Sequence, residues 1–389
     1  MSQHKKKICF ATGEFFPTVG GLSKSATRIA EMLGDSGFEM HVIVPIQGKA
    51  SKSGVVPEKL NSVLIYRVPV GDDVQNTNGS PLVKVIRQLD QELNFDLFHG
   101  FFLSMAYACC LGMNKIVRPL ISSIRGSDAK KWTDPSMNNL LRLVIKKTNC
   151  LTTVNTVLLS NVLKSAGIEV DSMFIKNSIG LHSNIIWNID TMTQGKIGTL
   201  GKFQKCKEID ILIDSYNNVD AYLRSNLMLI GNFPNNYLKT ENENKIEFLK
   251  LKGEVVLTGF LDETEVVQNL KDLNVFVSTS SSEGFPNALL EAASLGVPIV
   301  VAGFEGIEDY CENGKNALIV PIGDVKATTN AISSILMNKE LAQHLSNGAI
   351  NLAKSLTPDI EKKQWVQVYK AQIEKDFKNE LLRKNICLK

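Results

Sequence analysis

One stretch of the chain, residues 278–291, constrains the fold more than any other. It reads STSSSEGFPNALLE and continues a short apolar run that is typical of a buried strand. Pro286 and Asn287 then open an apolar helical pattern, since proline is well tolerated at the first position of a helix. A helix that starts directly after a strand points backbone N–H groups and a positive dipole end at the space above the sheet. The stretch therefore predicts an anion site at the carboxyl end of a strand.

Strand and helix patterns alternate along both halves of the chain. The first half begins with an apolar run at Ile8–Thr12, and the second half restarts with a similar run at Lys196–Phe203. Such alternation predicts a doubly wound parallel sheet in each half. A chain of 389 residues is long enough for two such α/β domains. We predict an N-terminal domain over residues 1–180, a polar linker over 181–195, a second domain over 196–357 and a final helix over 358–389.

Charge, cysteine usage and motif content exclude several classes of function. The formal net charge is only +3, so we expect no nucleic-acid partner. The 7 cysteines are scattered and the 5 histidines are isolated, which indicates reduced thiols and no metal site. The sequence contains no G-x-G-x-x-G and no Walker motif, so no dinucleotide cofactor is expected. It also contains no Asp-x-Asp, a pattern that can hold a divalent metal ion.

The first residues are basic but lead straight into a strand pattern, which argues against a secretory signal. No uninterrupted apolar run approaches the roughly 18–20 residues that cross a bilayer. We therefore expect a cytoplasmic protein. The basic runs Lys5–Lys7 and Lys362–Lys363 suit peripheral contact with the inner face of a membrane, and they suit a solvated surface equally well.

Glycines and polar residues follow several of the predicted strands. They include the Gly20–Gly21 loop, His99, Arg125, Lys202, Gly259 and Glu283. Ligands of doubly wound sheets bind beyond the carboxyl ends of the strands. The sequence therefore predicts that a cleft between the two domains is functional.

Glu283 and Glu291 are separated by seven residues, and Gly-Phe-Pro-Asn follows the first of them. Within EGFPNALLEAASLGVPIVV, this pattern resembles the Glu-x7-Glu motif of retaining glycosyltransferases of family four, and a looser likeness covers nearly the whole chain. The resemblance implies the GT-B fold, with two Rossmann-like domains whose parallel sheets face each other across a cleft, and a last helix that crosses back to the first domain. It implies a nucleotide-diphosphate sugar as donor, with a UDP-sugar favoured, and no metal or other cofactor. It also implies a glycan or lipid-linked glycan acceptor in cell-surface polysaccharide biosynthesis.

The same resemblance assigns roles to individual residues. The catalytic residues would be Glu283, which binds a hydroxyl of the donor sugar, and Lys202 and Lys207, which stabilise the departing diphosphate. The donor-binding residues would be Gly21, Gly259, Gly284, Phe285, Pro286, Asn287 and Glu291, with Glu291 on the ribose hydroxyls. The acceptor or cleft residues would be Gly20, His99, Arg125 and Asp128.

Several positions depart from the pattern of the family, including Lys176 and Ser178 on either side of Asn177. Arg125 stands where many retaining relatives have a histidine, and it cannot act as a general base. Lys202 stands at an arginine position, where it keeps the charge but lacks the planar fork of a guanidinium. Glu208 replaces a glycine.

Each assignment has a structural alternative. The two glycines suit a tight turn, His99 suits a hydrogen-bonded structural histidine, and Arg125 suits a surface residue paired with Asp128. Lys202 and Lys207 also suit solvated positions before a helix. For the whole protein, a nucleotide-sugar epimerase or hydrolase on the same fold and a catalytically inactive nucleotide-sugar-binding protein stay open as alternatives.

Overall fold

The chain divides between two units, residues 1–177 together with 359–389 and residues 178–358. The computed structural model describes residues 5–18, 20–48, 55–71, 81–114, 118–180, 187–192 and 195–386. Most of the predicted linker, 181–186 and 193–194, lies outside them. Residues 187–192 are described and belong to the second unit, because the buried Trp187 donates its indole N–H to the carbonyl of Leu273 at 2.9 Å.

An eight-stranded sheet forms the centre of the first unit. Its strands are β1 (Lys7–Thr12), β2 (Glu39–Ile46), β3 (Glu58–Leu60), β4 (Val63–Pro69), β5 (Leu97–Phe101), β6 (Leu120–Ile124), β7 (Cys150–Thr153) and β8 (Ser172–Phe174). Their order is β3-β4-β2-β1-β5-β6-β7-β8, and every neighbouring pair is parallel except β3 and β4. Only Asn61 and Ser62 connect these two strands, and a two-residue connection permits nothing but an antiparallel hairpin. The sheet is thus parallel as predicted, with an antiparallel hairpin added at this edge.

The helices of the first unit are α1 (Gly21–Asp35), α2 (Pro81–Leu93), α3 (Leu103–Gly112), α4 (Ser127–Trp132), α5 (Asn138–Lys147), α6 (Thr156–Ala166) and α13 (Pro358–Ile386). Residues of α1 with helical spacing, including Ala26, Ile29 and Leu33, are buried in one core cluster. Trp365 and Tyr369 of α13 are fully buried in the same cluster. The last helix is therefore an integral part of the first unit.

The second unit has a six-stranded parallel sheet. Its strands are β9 (Ile197–Lys202), β10 (Leu227–Asn232), β11 (Val255–Gly259), β12 (Val275–Ser278), β13 (Ile299–Ala302) and β14 (Leu318–Val320), in the order β11-β10-β9-β12-β13-β14. The chain leaves β9 towards β10 and leaves β12 in the opposite direction, towards β13. Right-handed connections then put the two following helices on opposite faces of the sheet. The crevice of this sheet thus lies beyond the carboxyl ends of β9 and β12.

The helices of the second unit are α7 (Ile209–Asn218), α8 (Asn236–Phe248), α9 (Glu263–Lys271), α10 (Asn287–Ser294), α11 (Val325–Met337) and α12 (Lys339–Lys354). Both units thus have the predicted α/β architecture of parallel strands alternating with helices. Along the described ranges of the chain, no helix is long and apolar enough to cross a membrane.

Candidate functional site

A small cavity lies where the strand order of the second unit reverses. Phe203, Lys207, Ser280, Glu283 and Pro286 are among the residues that line it. They come from two segments, the one that follows β9 and the one that joins β12 to α10. Two of the three predicted catalytic residues therefore share one cavity, at the position where a doubly wound sheet binds its ligand.

Lys207 and Glu283 are in direct contact in this cavity. The ammonium of Lys207 donates a hydrogen bond to Glu283 Oε1, and Ser280 Oγ donates to the same oxygen at 2.9 Å. The two side chains are 22% and 15% exposed, so solvent and salt screen this ion pair only in part. The site thus offers a cation that can bind a phosphate oxygen and a carboxylate that can accept from a hydroxyl.

Hydrogen bonds tie together the two segments that carry this pair. Thr279 Oγ1 lies 2.9 Å from the carbonyl oxygen of Lys207 and 3.0 Å from that of Glu208. The backbone N–H of Ser281 donates to the carbonyl of Cys206 at 2.9 Å. The serine- and threonine-rich run therefore holds the short 3-10 helix Lys205–Lys207 in place. This role was not predicted from the sequence, although hydroxyl side chains at a strand end commonly bond to nearby backbone groups.

Replacing Thr279 with Val should lower the free energy of unfolding of the second unit by about 1–2 kcal/mol, because the hydroxyl that the carbonyls of Lys207 and Glu208 share is lost without a change in side-chain size. Urea unfolding would measure this loss. Thr240→Val makes the same change on the exposed surface of α8 and should shift the free energy by less than about 0.5 kcal/mol. Equal effects of the two substitutions would contradict the structural role of Thr279.

The residue after Lys207, Glu208, is one of the departures from the family pattern, and its backbone conformation is one that favours glycine. Glu208 has φ 47° and ψ 51°, a left-handed backbone conformation that costs an L-residue about 1–2 kcal/mol. Glycine adopts this conformation without that steric cost. The turn therefore keeps the geometry that a glycine would favour, although a glutamate occupies it.

Helix α10 begins at the edge of the same cavity. Pro286 is its N-cap residue, and no side chain caps the helix, so the N–H groups of Ala288 and Leu289 have no acceptor within the described parts of the chain. Asn287 was predicted to bind the donor. Its backbone N–H instead donates to the carbonyl of Phe285 at 2.9 Å in a tight turn. The anion site predicted here therefore depends on the next two residues of the helix.

The remaining predicted donor-site residues lie around this cavity or at neighbouring strand ends. Glu291 is half-buried in the second turn of α10, and Gly284 follows Glu283 in the same loop. Lys202 is exposed at the end of β9 and does not line the cavity. Gly259 ends β11 with φ +73°, a conformation that favours glycine, and the next residue, Phe260, is 70% exposed.

In the first unit, Gly20 and Gly21 stand at the start of α1, just beyond β1. Gly20 has φ 163°, an extended conformation open to any residue, and a Cβ there would meet only an ordinary contact of 3.6 Å with Glu14 Oε2. The backbone of this turn therefore does not require a glycine at Gly20. No side chain caps α1, so the start of the helix leaves N–H groups for a ligand.

His99 lies elsewhere than predicted. It is the third residue of β5 rather than its end, and its side chain is fully buried. Its ring nitrogens are 2.6 Å from the hydroxyl of Tyr369 and 2.7 Å from that of Ser123. The assignment of His99 as a cleft residue is thus wrong for this structure, and the alternative of a hydrogen-bonded structural histidine is correct. Gly100 continues the strand, and the backbone of α3 lies so close to it that a Cβ there would come within 2.1 Å of Ala106 N.

The buried histidine predicts a pH dependence of stability. Burial, aided by the charge of Arg125, lowers the pKa of His99 from 6.5 to about 3. Below pH 6.5 the unfolded chain binds a proton that the folded chain does not, so stability falls as the pH falls. Between pH 6 and pH 4 we expect a loss of about 1.4 kcal/mol per pH unit from His99. Urea unfolding at several pH values would give the free energy of unfolding as a function of pH. In His99→Asn this free energy should fall less steeply with falling pH, by the amount given for His99. An unchanged pH dependence would contradict the assignment.

Arg125 and Asp128 have different roles, although both lie after β6. The guanidinium of Arg125 is 4.5 Å from the ring centre of Phe101 and donates to the side-chain oxygen of Asn177. Asp128 is buried and accepts from the backbone N–H groups of Arg125 at 3.1 Å and Gly126 at 2.9 Å. Burial raises the pKa of Asp128, and these N–H groups oppose the rise. Asp128 therefore shapes the loop through its backbone contacts, whereas the half-buried Arg125 interacts through its side chain with Phe101 and Asn177.

Within the described ranges, no three or more His, Cys, Asp or Glu side chains lie together in a group that could hold a metal ion.

Two family models match the chain in succession. "Glycosyltransferase Family 4" matches residues 19–179, and "Glycosyl transferases group 1" matches residues 187–352. The curated relatives include N-acetyl-alpha-D-glucosaminyl L-malate synthase of Bacillus anthracis, 23% identical over 86% of this chain and 89% of the relative. They also include the capsular polysaccharide biosynthesis glycosyltransferase CapM of Staphylococcus aureus, 32% identical over 39% of each chain.

A solved structure agrees over a similar length. Anabaena Alr3699/HepE in complex with UDP-glucose has a TM-score of 0.75 at 16% identity, covering 94% of this chain and 99% of that one. At this identity the likeness establishes the fold, which is GT-B. Together with the two family models and the named relatives, it leads to one conclusion: the chain is a glycosyltransferase of GT-B fold that resembles family 4.

Proposed function

We propose that the protein is a retaining, metal-independent glycosyltransferase that uses a UDP-sugar. The observation that carries the proposal is the contact between Lys207 and Glu283 beside the uncapped start of α10. A cation, a helix start and a carboxylate within one crevice match the diphosphate and the hydroxyls of a nucleotide sugar. The complex of Alr3699/HepE with UDP-glucose supports the choice of donor.

The donor would lie along the crevice of the second unit. Glu291 would accept hydrogen bonds from the ribose hydroxyls, and Glu283 would accept one from the transferred sugar. The N–H groups of Ala288 and Leu289 would bind a phosphate, aided by the positive end of the helix dipole. Gly284 and Phe285 would contribute backbone N–H groups from the preceding loop.

Fixed positive charge would replace a metal ion in the chemical step. The bond between the sugar and the diphosphate breaks as negative charge grows on the leaving phosphate, and Lys207 is positioned to stabilise that charge. Lys202, at the end of β9, would add a second cation from a more exposed position. The acceptor hydroxyl would attack from the face that the diphosphate leaves and give its proton to the departing phosphate. This route retains the configuration of the sugar.

The acceptor would be a glycan or a lipid-linked glycan in polysaccharide biosynthesis, a setting supported by the relative CapM. A second candidate is a small carboxylate acceptor. This candidate is favoured by Arg125, because a guanidinium can bind a carboxylate through paired hydrogen bonds, and by the relative N-acetyl-alpha-D-glucosaminyl L-malate synthase.

A transfer assay tests the proposal. The purified protein would be incubated with UDP-glucose or UDP-N-acetylglucosamine, an undecaprenyl-diphosphate-linked sugar or L-malate, and EDTA. We expect UDP release that requires an acceptor and a product whose NMR spectrum shows the α-anomer. A β-linked product would contradict retention, and activity that EDTA abolishes and Mg²⁺ restores would contradict metal independence. Binding of a UDP-sugar without any turnover would favour the inactive binding protein.

A further inference from the structure

Glu283 uses only one of its two carboxylate oxygens within the protein. In the cavity that it shares with Lys207, the donor cavity, Oε1 accepts from the ammonium of Lys207 and, at 2.9 Å, from the hydroxyl of Ser280. Oε2 accepts a hydrogen bond from no donor in the described parts of the chain. It is also not among the buried polar atoms that lack a partner, so solvent reaches it. One oxygen is therefore held by the protein, and the other is open to a ligand.

The two donors to Oε1 differ in how firmly they are placed. The ammonium of Lys207 ends a long, flexible side chain that is 22% exposed. Ser280 is 1% exposed, and its hydroxyl is one bond away from the backbone-attached Cβ. In the proposed reaction Lys207 also binds the diphosphate, so its contact with Glu283 changes when the donor arrives. The hydroxyl of Ser280 is the donor that stays with the carboxylate throughout.

The hydroxyl of Ser280 is itself oriented by a neighbour. Its oxygen lies 3.3 Å from that of Ser278, the last residue of β12, and both serines line the donor cavity. A hydroxyl carries a single hydrogen, and a carboxylate can only accept. Ser280 therefore uses its hydrogen for Glu283, which leaves Ser278 to donate to Ser280. This chain of hydrogen bonds connects Glu283 to the end of a buried strand.

The backbone on both sides of Ser280 is fixed as well. Thr279 bonds through its hydroxyl to the carbonyls of Lys207 and Glu208, and the N–H of Ser281 bonds to the carbonyl of Cys206. Ser280 therefore has a defined position relative to the turn that carries Lys207. A side chain that binds substrate is placed accurately when the groups that support it are held in this way.

We propose that Ser280 is a positioning residue for the donor sugar, because it holds Oε1 of Glu283 so that Oε2 faces a hydroxyl of the transferred sugar. This inference rests on the proposed function, in which Glu283 accepts a hydrogen bond from that sugar. Ser280 acts through Glu283 rather than through a contact of its own. Its effect is therefore confined to ligands that carry the sugar, and it requires the carboxylate of Glu283.

Calorimetric titration of UDP, UDP-glucose and UDP-N-acetylglucosamine into the native protein, Ser280→Ala, Glu283→Ala and the double variant tests the proposal. In Ser280→Ala the Kd of the UDP-sugar that the native protein binds should rise about five- to tenfold, the value of roughly one hydrogen bond. The Kd of UDP, which lacks the sugar, should change by less than about twofold. In the Glu283→Ala background, Ser280→Ala should change the Kd of the UDP-sugar by less than about twofold, since two residues that act as a unit are not additive.

Ser282→Ala provides the control, because Ser282 is an exposed serine of the same loop and does not line the donor cavity. It should leave every Kd within about twofold of the native value. Equal losses of UDP and UDP-sugar affinity in Ser280→Ala, no loss at all, or a loss that persists in full in the Glu283→Ala background would each overturn the proposal while donor binding by the native protein stands. A native protein that binds none of the ligands would contradict the proposed function and this proposal with it.

Discussion

Replacing Lys207 with Met is expected to lower kcat by about 10²- to 10³-fold, the loss typical of removing one donor that stabilises developing charge. The negative charge on the leaving phosphate grows as the bond to the sugar breaks, so the cation contributes most in the transition state. The affinity for the donor should therefore fall much less than kcat. Steady-state kinetics together with calorimetric titration of UDP would separate the two effects.

One neighbouring lysine, Lys205, serves as the control for this substitution, and another, Lys202, tests a smaller contribution. Lys205 belongs to the same 3-10 helix but is exposed and does not line the donor cavity, so Lys205→Met should leave kcat within about threefold of the native value. Lys202→Met should have an intermediate effect, with a larger loss in kcat than in donor affinity. A loss in Lys207→Met that is confined to donor affinity would contradict a role in the chemical step.

The second large effect concerns stability rather than catalysis. Arg28 of α1 donates from Nε and Nη2 to the carboxylate of Glu361 in α13, at 2.9 and 3.2 Å. The side chain of Glu361 is 1% exposed, so this bidentate contact stabilises a charge that solvent does not reach. Arg28→Leu should lower the free energy of unfolding of the first unit by about 3–5 kcal/mol, because it leaves a buried carboxylate without its cation. Urea unfolding would measure the loss.

The matched comparison is the double variant Arg28→Leu/Glu361→Leu. An apolar pair of similar size often replaces a buried ion pair at little cost, so the double variant should recover most of the stability lost by the single one. Lys375→Ala breaks the exposed pair with Asp171 and should leave the unfolding midpoint unchanged. A double variant that is less stable than Arg28→Leu would show that the pair is not the cause of the loss.

The sequence predicts the elements of this fold where local patterns are strong. The run of residues 278–291 forms a strand end, a polar loop and a helix whose N-cap is Pro286, within one residue of the prediction. Glycine, proline and apolar spacing act locally here, so a single sequence contains the information. The alternation of strands and helices likewise indicates two parallel sheets, because crossover connections leave few other arrangements.

Predictions that depend on tertiary contacts are less complete. The prediction for His99 fails because the strand continues through Gly100 and because Tyr369, 270 residues away, provides its hydrogen bond. Helix α8 was not predicted because its apolar residues are few and form no continuous stripe, and only Asn242 is buried. The link from Thr279 to the Lys207 turn joins residues 72 positions apart. Such contacts leave no periodic trace in the sequence.

The most direct test of the donor site is a calorimetric titration of UDP, GDP and ADP into the native protein and Glu291→Ala. We predict that UDP binds and that Glu291→Ala weakens its binding by about 1.5–3 kcal/mol, the value of a hydrogen bond to a charged group. Glu247→Ala, exposed on α8, should bind UDP as the native protein does. Binding of UDP that is equal in the native protein and in Glu291→Ala would contradict the assignment of Glu291, and the absence of binding to any of the three nucleotides would contradict the site.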